Sequence, residues 1–199
     1  MQEFEYPTKP HIRRHGPGGY LDYESYRDWV RDEFMFRCVY CLHREQWYDR
    51  GATFHIEHFI PVAEDPNGKL EYTNLLYACA TCNTAKLGIL GVPDPCIVAF
   101  ATCVSIGNDG QMEAHNEAGE SLVKKLRLNS PKNVQHRRRW MQVLAVLQRH
   151  EPDLYREYMS FPDDLPDLRT KIPPLNSKPE SVHDCCFALR ERGELPAMY

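Results

Sequence analysis

The sequence predicts an α+β protein built around a small metal-stapled module. Three observations carry that prediction. Two Cys-x-x-Cys pairs, Cys38/Cys41 and Cys79/Cys82, frame one segment. That segment, 54–86, reads FHIEHFIPVAEDPNGKLEYTNLLYACATCNTAK and passes from strand-like alternation through turn residues to a short apolar run and a helical pattern. Its flanks are an amphipathic helical pattern before it and, after it, a hairpin pattern followed by helices.

With 199 residues, the chain holds one domain, or one with an appendage, and is long enough to bury a sizeable core. Charged residues at 26% and hydrophobic ones at 42% are ordinary for a globular protein and argue against disorder. No apolar run reaches the length of about 18 residues that spans a bilayer, and residues 1–20 lack the apolar stretch of a signal peptide. The expectation is a cytoplasmic protein with no membrane partner. In a reducing compartment, eight cysteines argue for metal binding more than for disulfides. The net charge of −4 gives no overall basic footprint. Residues 124–139 nevertheless carry Lys124, Lys125, Arg127, Lys132, Arg137, Arg138 and Arg139 with no acid among them, so a basic patch coexists with an acidic total.

Residues 1–22, rich in Pro, Gly and the basic Lys9, Arg13 and Arg14, read as an arm without its own core. Residues 23–36 place Tyr23, Tyr26, Trp29, Val30 and Phe34 at helical spacing, an amphipathic helix whose aromatic face is core. The module follows, over 23–92 with that helix. A two-residue gap lets both thiolates of a Cys-x-x-Cys pair face one ion, so Cys38, Cys41, Cys79 and Cys82 predict a closed tetrahedral four-sulfur site, structural and zinc-filled, with iron as the alternative metal. Four cysteines saturate zinc, which leaves His43 as a surface residue. Cys96 and Cys103 read as small core residues, and the adjacent Cys185 and Cys186 as unable to face one metal together.

Within 53–60 the residues alternate as in a half-buried strand ended by Pro61. In an ideal strand His55 and Glu57 share one face and His58 takes the other, so a bend or bulge near Glu57 is needed to aim both Glu57 and His58 at one substrate. Asp65-Pro66-Asn67-Gly68 is a turn, 72–77 a short returning strand, and 80–88 a short helix closed by Gly88.

Glu57-His58-Phe59-Ile60-Pro61, Asn74-Leu75-Leu76 and Cys79-Ala-Thr-Cys82-Asn83-Thr-Ala-Lys86 together resemble the HNH endonucleases, whose core is a ββα-metal finger. The resemblance implies an α+β fold: a ββα-metal core stapled by the four-cysteine zinc site, with an N-terminal helix and a mixed hairpin and helical extension. It implies His58 as general base, Asn74 as the asparagine fixing the loop behind it, and Asn83 as ligand of a catalytic divalent ion. Glu57 stands where the family more often has Asp, as a second ligand of that ion. The implied activity is hydrolysis of DNA phosphodiester bonds, by nicking or double-strand cutting, with one Mg²⁺ or Mn²⁺ and 5′-phosphate and 3′-hydroxyl products; RNA remains an alternative substrate. The wording EHFIP and NLLYACATCNTAK also resembles HNH proteins of bacterial anti-phage defence, which implies an ATPase or other defence protein as partner.

The chemistry fits these residue types. An unperturbed imidazole titrates at about pH 6.5 and can deprotonate water near neutrality. A hard, oxygen-liganded cation neutralises the phosphate and the departing oxygen. His55 is open to three readings, orienter, third ligand or structural strand residue; Lys86 is open to phosphate contact or to complementing the helix C-terminus.

Residues 93–160 read as an extension. Residues 97–106 are β-prone, 107–110 a turn, and 111–115 a returning strand. A helix over 117–127 follows, then one from Ser130-Pro131 to about His150, with Val134, Met141, Leu144, Ala145 and Leu147 inward and Arg137 and Arg138 outward. Lys86, Lys124, Lys125, Arg137 and Arg138 are the candidate phosphate contacts. Residues 161–199 read as a Pro-rich tail with a short helix near 182–192. Two rival readings are a non-catalytic zinc module that binds nucleic acid or protein, and a zinc hydrolase. The first has no need of Glu57, His58 and Asn83 together; the second needs an open zinc position that four cysteines deny.

Overall fold

The computed structural model describes residues 3–47 and 54–199; the expected first strand residue, Thr53, lies outside them. Strand β1 (Pro17–Gly18) leads to a 3-10 turn, Tyr23–Tyr26, whose cap Asp22 accepts from the Ser25 amide. Helix α1 (Arg27–Glu33) follows. The aromatic stripe lands in the core as its spacing predicts, with Tyr26, Trp29 and Val30 fully buried and Phe34 nearly so. The helix stops short of residue 36 because Met35 and Phe36 both adopt left-handed backbone, φ 56° each. Side chains larger than glycine rarely take that conformation.

Strand β2 (Phe54–His58), a loop of two 3-10 turns, strand β3 (Leu75–Cys79) and helix α2 (Ala80–Lys86) come in the expected order. The strands pair antiparallel and one-to-one, from Phe54 opposite Cys79 to His58 opposite Leu75. Every residue of β3 is buried, because α1 packs on it and α2 packs on both strands. Gly88, at φ 70°, closes α2 as a residue without Cβ can.

Strands β4 (Val104–Ile106) and β5 (Met112–Ala114) form the expected hairpin around the turn at 107–110. The apolar run ahead of them is not strand: Phe100–Thr102 is a 3-10 turn and Ile97 is 74% exposed. Helices α3 (Glu117–Lys125) and α4 (Pro131–His150) follow, the latter capped by the Ser130 hydroxyl with Pro131 at its first position. Helix α5 (Pro152–Met159) packs on α4, and strand β6 (Leu175–Asn176) and helix α6 (Cys186–Glu191) complete the chain.

Two expectations need correction. The N-terminal segment is not a loose arm: Phe4 and Tyr6 are buried, the Tyr6 hydroxyl donates to the Tyr40 carbonyl at 2.5 Å, and β1 pairs with β6. Nor is the C-terminal segment a mere extended tail. Leu168, Cys185, Cys186 and Ala188 are buried, and the Cys186 amide donates to Asp32 Oδ2 at 2.7 Å. The physical reason is the same at both ends. Helix α1 buries two acids, Asp32 and Glu33, whose oxygens must be satisfied, and both termini supply donors. One cluster of buried apolar residues consequently runs from Phe4 to Ala188. Among the described residues no helix is long and apolar enough to cross a membrane.

Candidate functional site

The cysteine sulfurs of Cys38, Cys41, Cys79 and Cys82 all lie within 4.8 Å of one another, and Cys41 and Cys79 Sγ are 3.7 Å apart. Zinc–sulfur bonds of about 2.3 Å in a tetrahedron put neighbouring sulfurs about 3.8 Å apart, so the donor set fits one zinc ion. The two pairs converge because the first precedes a turn at the exit of α1 and the second spans the β3–α2 junction, with Val39 N donating to the Tyr77 carbonyl at 3.0 Å. No fifth donor is needed. His43, expected at the surface, is instead buried, its Nδ1 3.2 Å from Nε2 of His136; burial and that neighbour hold it down to about 3.

The hairpin loop is held by Asn74. Its Oδ1 accepts from the Ile60 amide at 2.7 Å, and its Nδ2 donates to the Ile60 carbonyl at 3.0 Å and the Gly68 carbonyl at 3.1 Å. The loop thus folds over the end of β2 that carries His58. The His58 ring is partly exposed. Its Nε2 lies 3.0 Å from the Lys69 carbonyl, and the ring stands edge-on to Tyr23, centroids 5.0 Å apart. A carbonyl only accepts, so Nε2 carries the proton and Nδ1 is the ring's acceptor.

Glu57 sits elsewhere. The ladder has no bulge at Glu57, so the two neighbours take opposite faces of the hairpin; the bend expected to bring them together is absent. Glu57 is 5% exposed, with Oε1 2.8 Å from Lys86 Nζ and Oε2 accepting from the Tyr40 hydroxyl at 2.8 Å. Burial pushes its carboxyl up, an effect opposed by the Lys86 ammonium and the Tyr40 hydroxyl. Lys86 Nζ also donates to the carbonyls of His58 at 3.0 Å and Phe59 at 2.8 Å. Asn83, one turn ahead of Lys86 on α2, is partly exposed, and His55 is exposed on β2. For a catalytic divalent ion the fit fails at Glu57 in this arrangement, because Lys86 already occupies the side of the carboxylate that faces α2.

The basic candidates divide. Lys124 and Arg138 are exposed, and Lys125 is partly so with Nζ on the Leu90 carbonyl at 2.7 Å. Lys86 is buried in its ion pair and contacts no phosphate from there. Arg137, expected outward, is buried: Nε donates to the Gly110 carbonyl at 2.7 Å and Nη2 to the Leu128 carbonyl at 2.8 Å. It braces the β4–β5 turn on α4, where Gly110 at φ 80° leaves no room for a Cβ. The residues that sequence reasoning missed are Tyr40, Tyr23 and the Lys69 carbonyl. Tyr40 lies between two cysteines, and nothing in the spacing marks its hydroxyl as the partner of Glu57.

Among curated proteins none matches the chain. The model of the family described as HNH endonuclease matches residues 38–87, from the first zinc-site cysteine to the end of α2, so the chain carries an HNH endonuclease domain over that segment.

Proposed function

We propose that the chain is a metal-dependent nuclease that hydrolyses DNA phosphodiester bonds with His58 as general base. The observation that carries this reading is the state of the His58 ring within an HNH domain: Nε2 is committed to the Lys69 carbonyl, which leaves Nδ1 to take a proton from water. In the proposed step that water's oxygen bonds to phosphorus and its proton passes to Nδ1, while the bond to the 3′ oxygen breaks and the departing oxyanion takes a proton from solvent water, leaving a 5′-phosphate and a 3′-hydroxyl. Asn74 fixes the loop, and Lys86 fixes the backbone carbonyl of His58. A divalent ion, Mg²⁺ or Mn²⁺, would supply Lewis-acid neutralisation of the phosphate; Asn83 is its proposed ligand, whereas Glu57, the second ligand the resemblance implies, is held by Lys86 in this arrangement and would have to be released first. Exposed Lys124 and Arg138, with Lys125, are the proposed contacts to the nucleic-acid backbone. A role in anti-phage defence beside an ATPase rests on the sequence resemblance.

One observation favours a second reading, a zinc module that binds nucleic acid or protein without cutting: both Glu57 oxygens are engaged within the protein. Supercoiled plasmid incubated with Mg²⁺ or Mn²⁺ separates the two. The nuclease reading expects relaxation or linearisation that falls by about 10²-fold or more in His58→Ala. Cutting that survives the substitution removes His58 from the role, and no cutting by wild type favours the binding module.

A further inference from the structure

A cavity of about 280 Å³ lies away from His58, between the segment 7–14, the exit of α1 and the loop 95–100. Its closure depends on backbone bonds that lay the N-terminal segment against that loop, His11 N to the Pro95 carbonyl at 2.8 Å and Ala101 N to the Pro7 carbonyl at 3.3 Å. The wall is mostly apolar, with the His11 and Phe34 rings tilted against each other, centroids 4.6 Å apart, and Val98 and Phe100 among the lining residues. Its volume is close to the lower end, about 300 Å³, of small-molecule sites.

The charges on that wall do not balance. Glu33 is the one acid lining the cavity among the described residues, and its carboxylate is already taken by His11, the amides of Arg14 and His15, and the Tyr72 hydroxyl. Arg14 is committed to Asp32. Arg37 is different: it is partly exposed at the cavity, and among the described residues its guanidinium has no hydrogen bond and no ion pair. A guanidinium that the protein leaves unpaired at a cavity wall keeps its donors for a bound anion. The chain reaches Arg37 through Met35 and Phe36, two consecutive left-handed residues, and backbone strain of that kind persists where surrounding structure demands it. Lys9, exposed at the cavity, adds a second cation.

We propose that this cavity binds a small anion with an apolar body, a carboxylate or a phosphate monoester, whose charged group pairs with Arg37 while its body lies against Phe34 and Val98. A planar guanidinium meets either anion with two parallel hydrogen bonds. The inference does not depend on the nuclease reading, since none of these residues belongs to the HNH site.

Calorimetric titration of the full chain with 3-phenylpropionate, phenyl phosphate, the neutral 3-phenylpropanamide and inorganic phosphate tests it. The expectation is one-site binding of at least one of the two amphiphilic anions, the preferred one identifying the anionic group. Binding should weaken at least tenfold in Arg37→Gln, and Val98→Trp, which fills the cavity, should abolish it. The amide and bare phosphate should bind at least tenfold more weakly. Anion binding unchanged in Arg37→Gln, equal binding of the neutral amide, or failure of both amphiphilic anions would each overturn the proposal.

Discussion

Lys86 is bound to three acceptors at once, Glu57 Oε1, the His58 carbonyl and the Phe59 carbonyl, which saturates the three protons of an ammonium. Its charge opposes the rise that burial imposes on the Glu57 carboxyl. Removing one member of a buried ion pair costs more than the pair contributes, because the other charge is stranded. Lys86→Met should therefore destabilise the protein by about 3–5 kcal/mol, measured by urea unfolding, and Lys86→Met combined with Glu57→Leu should recover much of that loss. The same variant probes the proposed ion. If Glu57 is a ligand once Lys86 withdraws, Mn²⁺ should restore stability to Lys86→Met and leave the double variant unaffected; equal effects on both would separate Glu57 from the ion. From sequence, Lys86 had two explanations, phosphate contact or helix-end complement; it is the basic residue of the last turn of α2, but its ammonium bonds across to β2 and the residue after it. Its partners come from the strand that α2 packs against, and a contact made across elements leaves no trace in local spacing.

At the scale of the element, the hairpin and its four-cysteine cluster were legible because their geometry is written in short-range spacing. Two cysteines with a two-residue gap can converge on one ion whatever surrounds them, and the turn at 65–68 fixes where the hairpin loop begins. Which way a side chain faces was less legible. Arg137 lies between the inward Val134 and Met141 by helical period, yet it is drawn in because the Gly110 and Leu128 carbonyls need a donor. Its replacement by Met should cost about 1–3 kcal/mol in unfolding free energy, since those buried carbonyls lose a charged donor. Arg138→Gln, on the exposed face, should leave stability unchanged and reduce the salt dependence of DNA binding by about one counterion. Asn74→Ala, which strips three hydrogen bonds from the loop, should destabilise by about 1–3 kcal/mol. It should also lower cleavage while His58 is intact; stability loss with full cleavage would show that the loop does not position the ring. For the staple, about one zinc per chain is expected, lost in Cys79→Ser with Cys82→Ser together with the cooperative unfolding transition.

At the scale of the whole molecule, α1 is the hub, and the sequence disclosed only half of it. The aromatic stripe was plain from its period, but Asp32 and Glu33 fall where a surface helix would be solvated, and composition alone made the two ends of the chain look loose. Both acids are buried, and they draw the termini inward. Asp32 receives His15 Nε2 at 2.8 Å and the Cys186 amide at 2.7 Å. Glu33 receives His11 Nε2 at 2.8 Å, the Arg14 amide at 2.7 Å and the His15 amide at 3.0 Å, with the Tyr72 hydroxyl at 2.9 Å. Burial alone would push the Glu33 carboxyl up, but the bonds from His11 and from the two amides outweigh it and hold it at about 2. An unfolded glutamate titrates at about 4.3, so the folded pKa is the lower one and Glu33 stabilises the fold fully above about pH 4.3. That contribution, about 3 kcal/mol from the difference between the two values, drains away as pH falls from there to about 2. Unfolding midpoints in urea for wild type and Glu33→Gln should differ most at pH 5 and above, and converge towards pH 2.5. Acid releases metal from the four thiolates in both proteins alike, so the difference between them isolates the carboxyl. A gap that stays constant across this range would mean that the N-terminal segment is anchored by packing of Phe4 and Tyr6 and not by the charge on Glu33.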